Sequence, residues 1–181
     1  MLLVDQKETK RILRELKKLM DEPEDGFRVF PIDKDFTQIH FTMLGVHDSP
    51  YEHGLYHGRI LLPAEYPLKA PDIELMTPNG RWQTDVKICL TVTSFHQESW
   101  VSSWGIRTVL IGLRSMMDGS DKGGIGSIYD SKKNRKKLAK ESWSYECPKC
   151  GVKHADLIDT MVLGEDGTDD SKSYSYSYSD D

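Results

Sequence analysis

The residue in this sequence with the clearest chemical potential is Cys89, set between Ile88 and Leu90 with Lys87 one step further back. A thiol acts as a nucleophile through its thiolate, which needs an electropositive or partly exposed site. Free cysteine is also among the most buried residue types, and on composition alone a small core residue is the plainer account. No Cys–His pair at short spacing stands out. A second group of thiols, Cys147-Pro148-Lys149-Cys150, lies near His154 and offers three side chains of zinc-ligand type. A structural zinc site wants four, so unliganded thiols are expected and no metal is assigned.

Cys89 sits in a long irregular stretch, residues 77–103. Stretches of this length inside a compact domain are functional or disordered. This one carries its own apolar anchors, Trp82, Ile88, Leu90, Val92, Phe95 and Trp100. Upstream, Ile12, Leu13, Leu16, Leu19 and Met20 fall at helical spacing within residues 5–21. Lys7, Lys10, Arg11, Arg14, Lys17 and Lys18 crowd the other faces, and Pro23 and Gly26 close the helix. Four strands are expected, over residues 27–32, 36–44, 56–62 and around Ile73 and Leu75. In the second, Ile39, Phe41 and Met43 alternate with Gln38, His40 and Thr42, the pattern of a half-buried strand. Asp72 and Glu74 are expected to face outward. Short connections between the middle strands favour an antiparallel meander.

After the long stretch, Ile106, Val109, Leu110, Leu113, Met116 and Met117 make one stripe of a helix over residues 104–117, with Ser102 or Ser103 as its cap and Gly119 at its end. Gly112 inside it signals tight packing or tolerance. A Gly-rich linker, residues 119–126, leads to a basic helix near 131–143. Helix, meander, long loop and helices make an α+β domain.

The 181 residues leave room for one domain and a tail. Residues 164–181 hold six of the 29 acids and one of the 24 bases, which accounts for the whole net charge of −5. The remainder is balanced, which disfavours a generally basic nucleic-acid binder. The tail repeats Ser-Tyr three times and is expected to be disordered. No run of about 18 apolar residues exists, so no membrane span is expected. The first five residues are too short for a signal sequence. An odd number of cysteines argues for a reducing compartment and against a disulfide framework. The expected division is a core over 1–145, a Cys-x-x-Cys extension over 146–163 and the tail over 164–181.

Several motifs in order resemble the ubiquitin-conjugating enzymes. They are Tyr66-Pro67-Leu68-Lys69-Ala70-Pro71, Thr77-Pro78-Asn79-Gly80-Arg81-Trp82, Lys87-Ile88-Cys89-Leu90, and Trp100 and Trp104. The run Trp100-Val101-Ser102-Ser103-Trp104-Gly105-Ile106-Arg107-Thr108 is similar to the endoplasmic-reticulum-associated J-type and yeast Ubc-six-type subgroup. So are Tyr56-His57-Gly58-Arg59-Ile60 and Gly124-Ile125-Gly126-Ser127. The resemblance covers roughly residues 5–150 and implies the fold of that family.

It also implies a thioester relay. Cys89 would take ubiquitin from the activating enzyme and pass it, with a ligase, to a substrate amine or hydroxyl. Such chemistry needs a thiol that is both nucleophile and leaving group, and does not ask for an adjacent histidine. Asn79 would stabilise the oxyanion or hold the loop that frames Cys89, and an Asn-Gly turn is compatible with either. Asp118, Asp121 and Ser120 fall where the family places residues that gate the acceptor; a solvated helix end is the alternative. His96 and Glu98, in a few residues more than the simplest members have, either flank the acceptor or are solvated.

Leu68, Val101 and Ser102 would face the ligase, Ser102 standing where a Pro is usual. Thr77 stands where the family has His. Lys7, Lys10, Arg11 and Arg14 would face the activating enzyme. No cofactor is implied, because ATP is consumed by the activating enzyme upstream. The rival readings are a catalytically inert ubiquitin-binding variant, a zinc-stabilised adaptor, and a modifier other than ubiquitin. The subgroup ends in a membrane span, and this sequence ends in an acidic tail. Two locations are therefore expected: cytosol or nucleus for a soluble protein, or the cytosolic face of the endoplasmic reticulum for the parent of a shortened one.

Overall fold

The structure is a computed structural model that describes residues 6–22, 26–32, 35–119 and 123–161. The first helix, α1 (Gln6–Asp21), buries Ile12, Leu16 and Leu19, one stripe at helical spacing. Leu13 and Met20, expected in the same stripe, are exposed at 43% and 56%. The buried stripe is therefore narrower than the apolar pattern.

Strands β1 (Phe27–Ile32), β2 (Asp35–Leu44), β3 (Leu55–Leu61) and β4 (Asp72–Leu75) form an antiparallel meander in the order β1-β2-β3-β4. Phe27, Val29, Ile39, Phe41, Met43, Tyr56, Ile60, Ile73 and Leu75 point to one face and form the main core with α1 and with α2 (Ile106–Met117). Gly58 is required here. A side chain on it would come within 2.5 Å of the Glu74 carbonyl and 2.7 Å of the Phe41 ring.

The other face of the sheet departs from expectation. His40 and Thr42 are fully buried, so β2 is covered on both faces rather than half-buried. The cover is the chain after α3 (Lys132–Glu141), comprising short 3-10 turns and a four-residue helix, α4 (Ile158–Met161). Leu44 and Leu55 pack there against Leu157, Ile158 and Met161, and Arg28 donates to the Thr160 carbonyl at 3.1 Å. Glu74, expected outward, is buried and paired with Arg59 at 2.7 Å. Asp72 is half-buried and pairs with Lys87 at 2.6 Å. A carboxylate can be buried when a guanidinium matches it.

Helix α2 is capped from outside its own sequence neighbourhood. Its N-cap is Gly105, which has no side chain to offer, and neither Ser102 nor Ser103 takes that place. Instead the Ile106 N–H donates to Glu15 Oε2 of α1 at 2.9 Å. The same oxygen accepts from the Tyr66 hydroxyl at 3.0 Å. A carboxylate at a helix N-terminus satisfies an orphan N–H and the macrodipole together. Gly112 is a position of tight packing, since an added Cβ would stand 3.2 Å from Val92. Helix α3 does have its own cap, Ser131 Oγ, which accepts from the Asn134 N–H at 3.1 Å. Among the described residues no helix is long and apolar enough to cross a membrane. The tail, residues 164–181, lies outside them.

Candidate active site

The chain leaves β4 at Leu75 and enters a loop organised by Asn79. This side chain is 1% exposed. Its Oδ1 accepts the Arg81 and Trp82 N–H groups, each at 2.8 Å, and its Nδ2 donates to the Thr77 and Trp82 carbonyls at 3.0 and 3.2 Å. Both amide hydrogens are thus used inside the loop. Of the two roles expected for Asn79, the geometry matches holding the loop. Thr77 is tied back to the sheet, its Oγ1 accepting from the His57 N–H at 3.0 Å.

The loop returns along β4. Ile88 N–H donates to the Ile73 carbonyl at 2.9 Å, and Ile88 and Leu90 are buried on either side of Cys89. Thr93 then locks the turn. Its hydroxyl accepts from the Leu90 N–H at 3.0 Å and lies 2.8 Å from the Leu90 carbonyl. Cys89 is half-buried. Its backbone N–H donates to the Ile125 carbonyl at 3.1 Å, which seats residues 123–127 alongside. Gly126 has φ +84°, and a side chain on it would stand 3.0 Å from the Lys87 carbonyl, so glycine is needed for this approach.

The chain then winds into a 3-10 segment, Ser94–Ser99, which brings His96 back over the thiol. His96 Nε2 lies 3.4 Å from Cys89 Sγ, and His96 Nδ1 lies 3.1 Å from Glu98 Oε1. His96, expected either to flank the acceptor or to be solvated, thus pairs with the cysteine, although no Cys–His pair stood out in the sequence. The spacing of seven hid it, because only the turn at Thr93 folds it shut. Glu98 is acceptor-only when ionised, so the Nδ1 side of the ring donates to it and the Nε2 side faces sulfur. Glu98 is held below the usual carboxylate range by its own backbone N–H and then by His96.

The other expected residues are distributed as follows. Asp118 is exposed at the C-cap of α2, and Asp121 and Ser120 lie outside the described residues. Leu68 is 70% exposed and Val101 45% exposed, on two loops clasped by the Trp100 indole, which donates to the Pro67 carbonyl at 2.8 Å. Ser102 is exposed next to Val101. Lys10 and Arg14 are exposed on α1, and the Lys7 side chain lies outside the described residues. Arg11 is engaged, donating to Glu15 at 2.8 Å and to the Trp104 carbonyl at 2.9 Å.

The sequence from 11 to 146 matches the family model described as ubiquitin-conjugating enzyme. The chain belongs to the ubiquitin-conjugating enzyme family. It is 39% identical over 159 residues to human ubiquitin-conjugating enzyme E2 J1, covering 88% of this chain and 50% of that protein. It is 43% identical over 133 residues to Arabidopsis thaliana ubiquitin-conjugating enzyme E2 32, covering 74% and 43%. The Schizosaccharomyces pombe ubiquitin-conjugating enzyme E2 6 is 36% identical over 153 residues, covering 83% and 67%. These likenesses set the chain in the J-type and Ubc-six-type subgroup. The chain spans about half the length of the first two. The structure of human ubiquitin-conjugating enzyme E2 G1 superposes with a TM-score of 0.54 at 24% identity, covering 61% of this chain and 93% of that one, and carries the same fold.

At the far end of the conjugating-enzyme fold, Cys147 and Cys150 approach His40 and His57 on the second face of the sheet. His154, the third side chain of zinc-ligand type in the sequence, is turned away from them. Its Nδ1 bonds the Ser142 carbonyl at 2.7 Å and its Nε2 faces Thr42 Oγ1 at 3.4 Å. Burial first, then His40 and His154, pushes His57 down to about 3, and burial lowers His40 and His154 as well. His57 is therefore neutral at ordinary pH. His40 and His57 escaped the sequence reading because they come from different strands and match no spacing.

Proposed function

We propose that the chain is an active ubiquitin-conjugating enzyme with Cys89 as its thioester-forming residue. The observation that carries this reading is a half-buried thiol facing an imidazole nitrogen, at the position of the family's Ile-Cys-Leu motif. Sγ gives its proton to His96 Nε2 and attacks the thioester carbonyl that joins ubiquitin to the activating enzyme. A tetrahedral oxyanion forms, collapses and expels the activating enzyme's thiolate. In the second step an acceptor nitrogen or oxygen attacks the new thioester, and Sγ leaves as thiolate. His96 Nε2 is within reach of a proton lost by that acceptor. The Asn79 loop holds the backbone around the reacting carbon, with Asn79 acting through the loop.

Ubiquitin, its activating enzyme and a ligase are the partners this reading names. The resemblance to the J-type subgroup supports endoplasmic-reticulum-associated degradation as the setting, at the cytosolic face of that membrane. An inert ubiquitin-binding variant has no support in a site that keeps its thiol and an aligned base.

The test is single-turnover charging with ubiquitin, activating enzyme and ATP, resolved with and without reducing agent. The expected product is one thiol-sensitive ubiquitin adduct, absent in Cys89→Ala and thiol-resistant in Cys89→Ser. Failure of the folded wild-type chain to charge, beside a working control enzyme, overturns the proposal.

A further inference from the structure

Three buried side chains, His40, His57 and Cys147, and the half-buried Cys150 converge on one point outside the thioester site. His40 Nδ1 and His57 Nε2 are 3.0 Å apart, Cys147 Sγ is 3.6 Å from His40 Nδ1, and Cys150 Sγ is 3.4 Å from His57 Nε2. All four atoms lie within 4.8 Å of one another. A tetrahedral zinc with Zn–S of about 2.3 Å and Zn–N of about 2.0–2.1 Å has N···N edges of about 3.3 Å, N···S edges of about 3.6 Å and S···S edges of about 3.8 Å. The three separations match those edges to about 0.3 Å. We propose that His40, His57, Cys147 and Cys150 form a closed, structural Cys2His2 zinc site that pins the C-terminal extension to the sheet.

Each ligand is delivered by a distinct local cause. In the β2–β3 register Thr42 pairs with His57 and His40 with Arg59, so the two histidines are diagonal neighbours on one face. The thiols come from a tight knuckle. Gly151 N–H donates to the Cys147 carbonyl and Cys147 N–H to the Val152 carbonyl, both at 2.9 Å, with Glu146 and Lys153 bridging below. Gly151 takes φ +74°, which closes the turn behind Cys150. Cys-Pro-Lys-Cys-Gly is thus half of a zinc site, and the sheet supplies the other half.

The surrounding hydrogen bonds allow His57 the polarity that a metal ligand needs. The Ser142 carbonyl can only accept, so His154 carries its proton on Nδ1 and offers a lone pair at Nε2. Thr42 Oγ1 donates to that lone pair and is left to accept from His57 Nδ1–H at 2.9 Å. His57 Nε2 therefore points a lone pair into the cluster. A hydrogen bond that holds the distal nitrogen of a ligating histidine is the ordinary support of a metal site. His40 is fully buried, and among the described residues its Nε2 has no partner, so its polar contacts are all to the cluster. Two nitrogens and two sulfurs within 4.8 Å of one another supply the four protein ligands of a closed zinc site and leave no position for substrate.

The extension also needs such a staple. Its apolar anchorage consists of Leu157, Ile158 and Met161 against Leu44 and Leu55, too few contacts to hold a short segment by burial alone. Fixing His57 also steadies Thr77, whose hydroxyl accepts from the His57 N–H. The site thereby supports the start of the Asn79 loop without touching Cys89.

The experiment is elemental analysis of the full chain as purified under reducing conditions, followed by chelation and titration with Co(II). About one zinc per chain is expected. The cobalt form should show the visible d–d bands of tetrahedral coordination with thiolate-to-metal charge transfer. Cys89→Ala should retain the metal, whereas Cys150→Ser and His57→Gln should lose it. The wild-type cobalt spectrum decides on its own should those variants fail to fold. Absence of both bound zinc and the tetrahedral cobalt spectrum in folded wild-type chain overturns the site. Undiminished binding by folded Cys150→Ser, or a Cys147–Cys150 disulfide by mass in reduced preparations, overturns it equally. Because charging at Cys89 is read separately, failure of this site and failure of the thioester assignment are distinguishable.

Discussion

Cys89 Sγ and His96 Nε2 meet at 3.4 Å, and a Glu98 carboxylate 3.1 Å from Nδ1 on the far side of the ring holds Nε2 toward sulfur. In His96→Ala the transfer of ubiquitin to a serine side chain is expected to slow by about 10²-fold, the usual size of one general base. Transfer to hydroxylamine, which is unprotonated at neutral pH, is expected to change little. Charging is expected to slow but persist, because the thiol can also lose its proton to solvent. Single-turnover discharge with the two acceptors makes the measurement. Equal losses with both would give His96 a structural role only. Glu98 is 73% exposed, and exposed ion pairs contribute about 1 kcal/mol at most, so Glu98→Gln is expected to cost less than about fivefold.

Asn79 forms four hydrogen bonds within its own loop. Truncation leaves buried backbone groups unpaired, at about 1–3 kcal/mol. Asn79→Ala is therefore expected to lower Tm by roughly 2–12 °C, using about 2–4 °C per kcal/mol for a chain of this size. The discharge rate should fall in step with the Tm. Loss of discharge at an unchanged Tm, measured by calorimetry beside the discharge assay, would instead give the side chain a direct part in holding the oxyanion.

The elements written in local periodicity were legible from residues alone. The stripe of α2, the alternation in β2 and the boundaries of β1 need only the neighbours along the chain, and the strand ends fall within a residue of expectation. What escaped was set by partners distant in sequence. Glu15 caps a helix that begins 91 residues later. Thr42 reads as a solvent-facing residue until His154, 112 residues on, covers it. The Cys-x-x-Cys pair looked incomplete because its two remaining partners lie on strands whose register no spacing reveals. His96 was visible as a residue near the acceptor, but the turn at Thr93 that folds it onto Cys89 was not.

The Trp100 indole bond to Pro67, with the Gln97 side chain accepting from Ala70 N–H at 2.9 Å and donating to the Leu68 carbonyl at 3.3 Å, joins the two loops expected to face a ligase. Leu68 projects from this clasp at 70% exposure. Leu68→Ala is expected to change stability by no more than about 0.5 kcal/mol and to leave charging intact. A ligase-stimulated discharge should weaken by about 5- to 30-fold, the loss of a contact worth 1–2 kcal/mol. Trp100→Phe keeps an aromatic ring, though a smaller one, and forfeits the hydrogen bond. It is expected to lose stability by about 1 kcal/mol as well as ligase stimulation. Denaturant midpoints measured beside discharge with and without ligase separate the two effects.

The basic face of α1 divides into two kinds of residue. Arg11 is structural. Its guanidinium bonds Glu15 and the Trp104 carbonyl and lies 5.9 Å from the Tyr66 ring centre, which joins α1 to the chain entering α2. Arg11→Ala is expected to cost about 1.5–3 kcal/mol, since hydrogen bonds to a charged group are lost, with a midpoint that moves little with salt. Lys10 and Arg14 are exposed, and their use is at a distance. Exposed charge accelerates encounter with an acidic partner and is screened beyond about 10 Å at 0.1 M ionic strength. The double variant Lys10→Glu/Arg14→Glu is therefore expected to keep its Tm and its discharge rate. Its kcat/KM for charging should fall by about tenfold or more at low salt, within the range of steering effects. The difference from wild type should shrink as salt is raised, since screening removes the advantage rather than the contact. A deficit that stays constant across ionic strength would mean that these residues touch the activating enzyme directly.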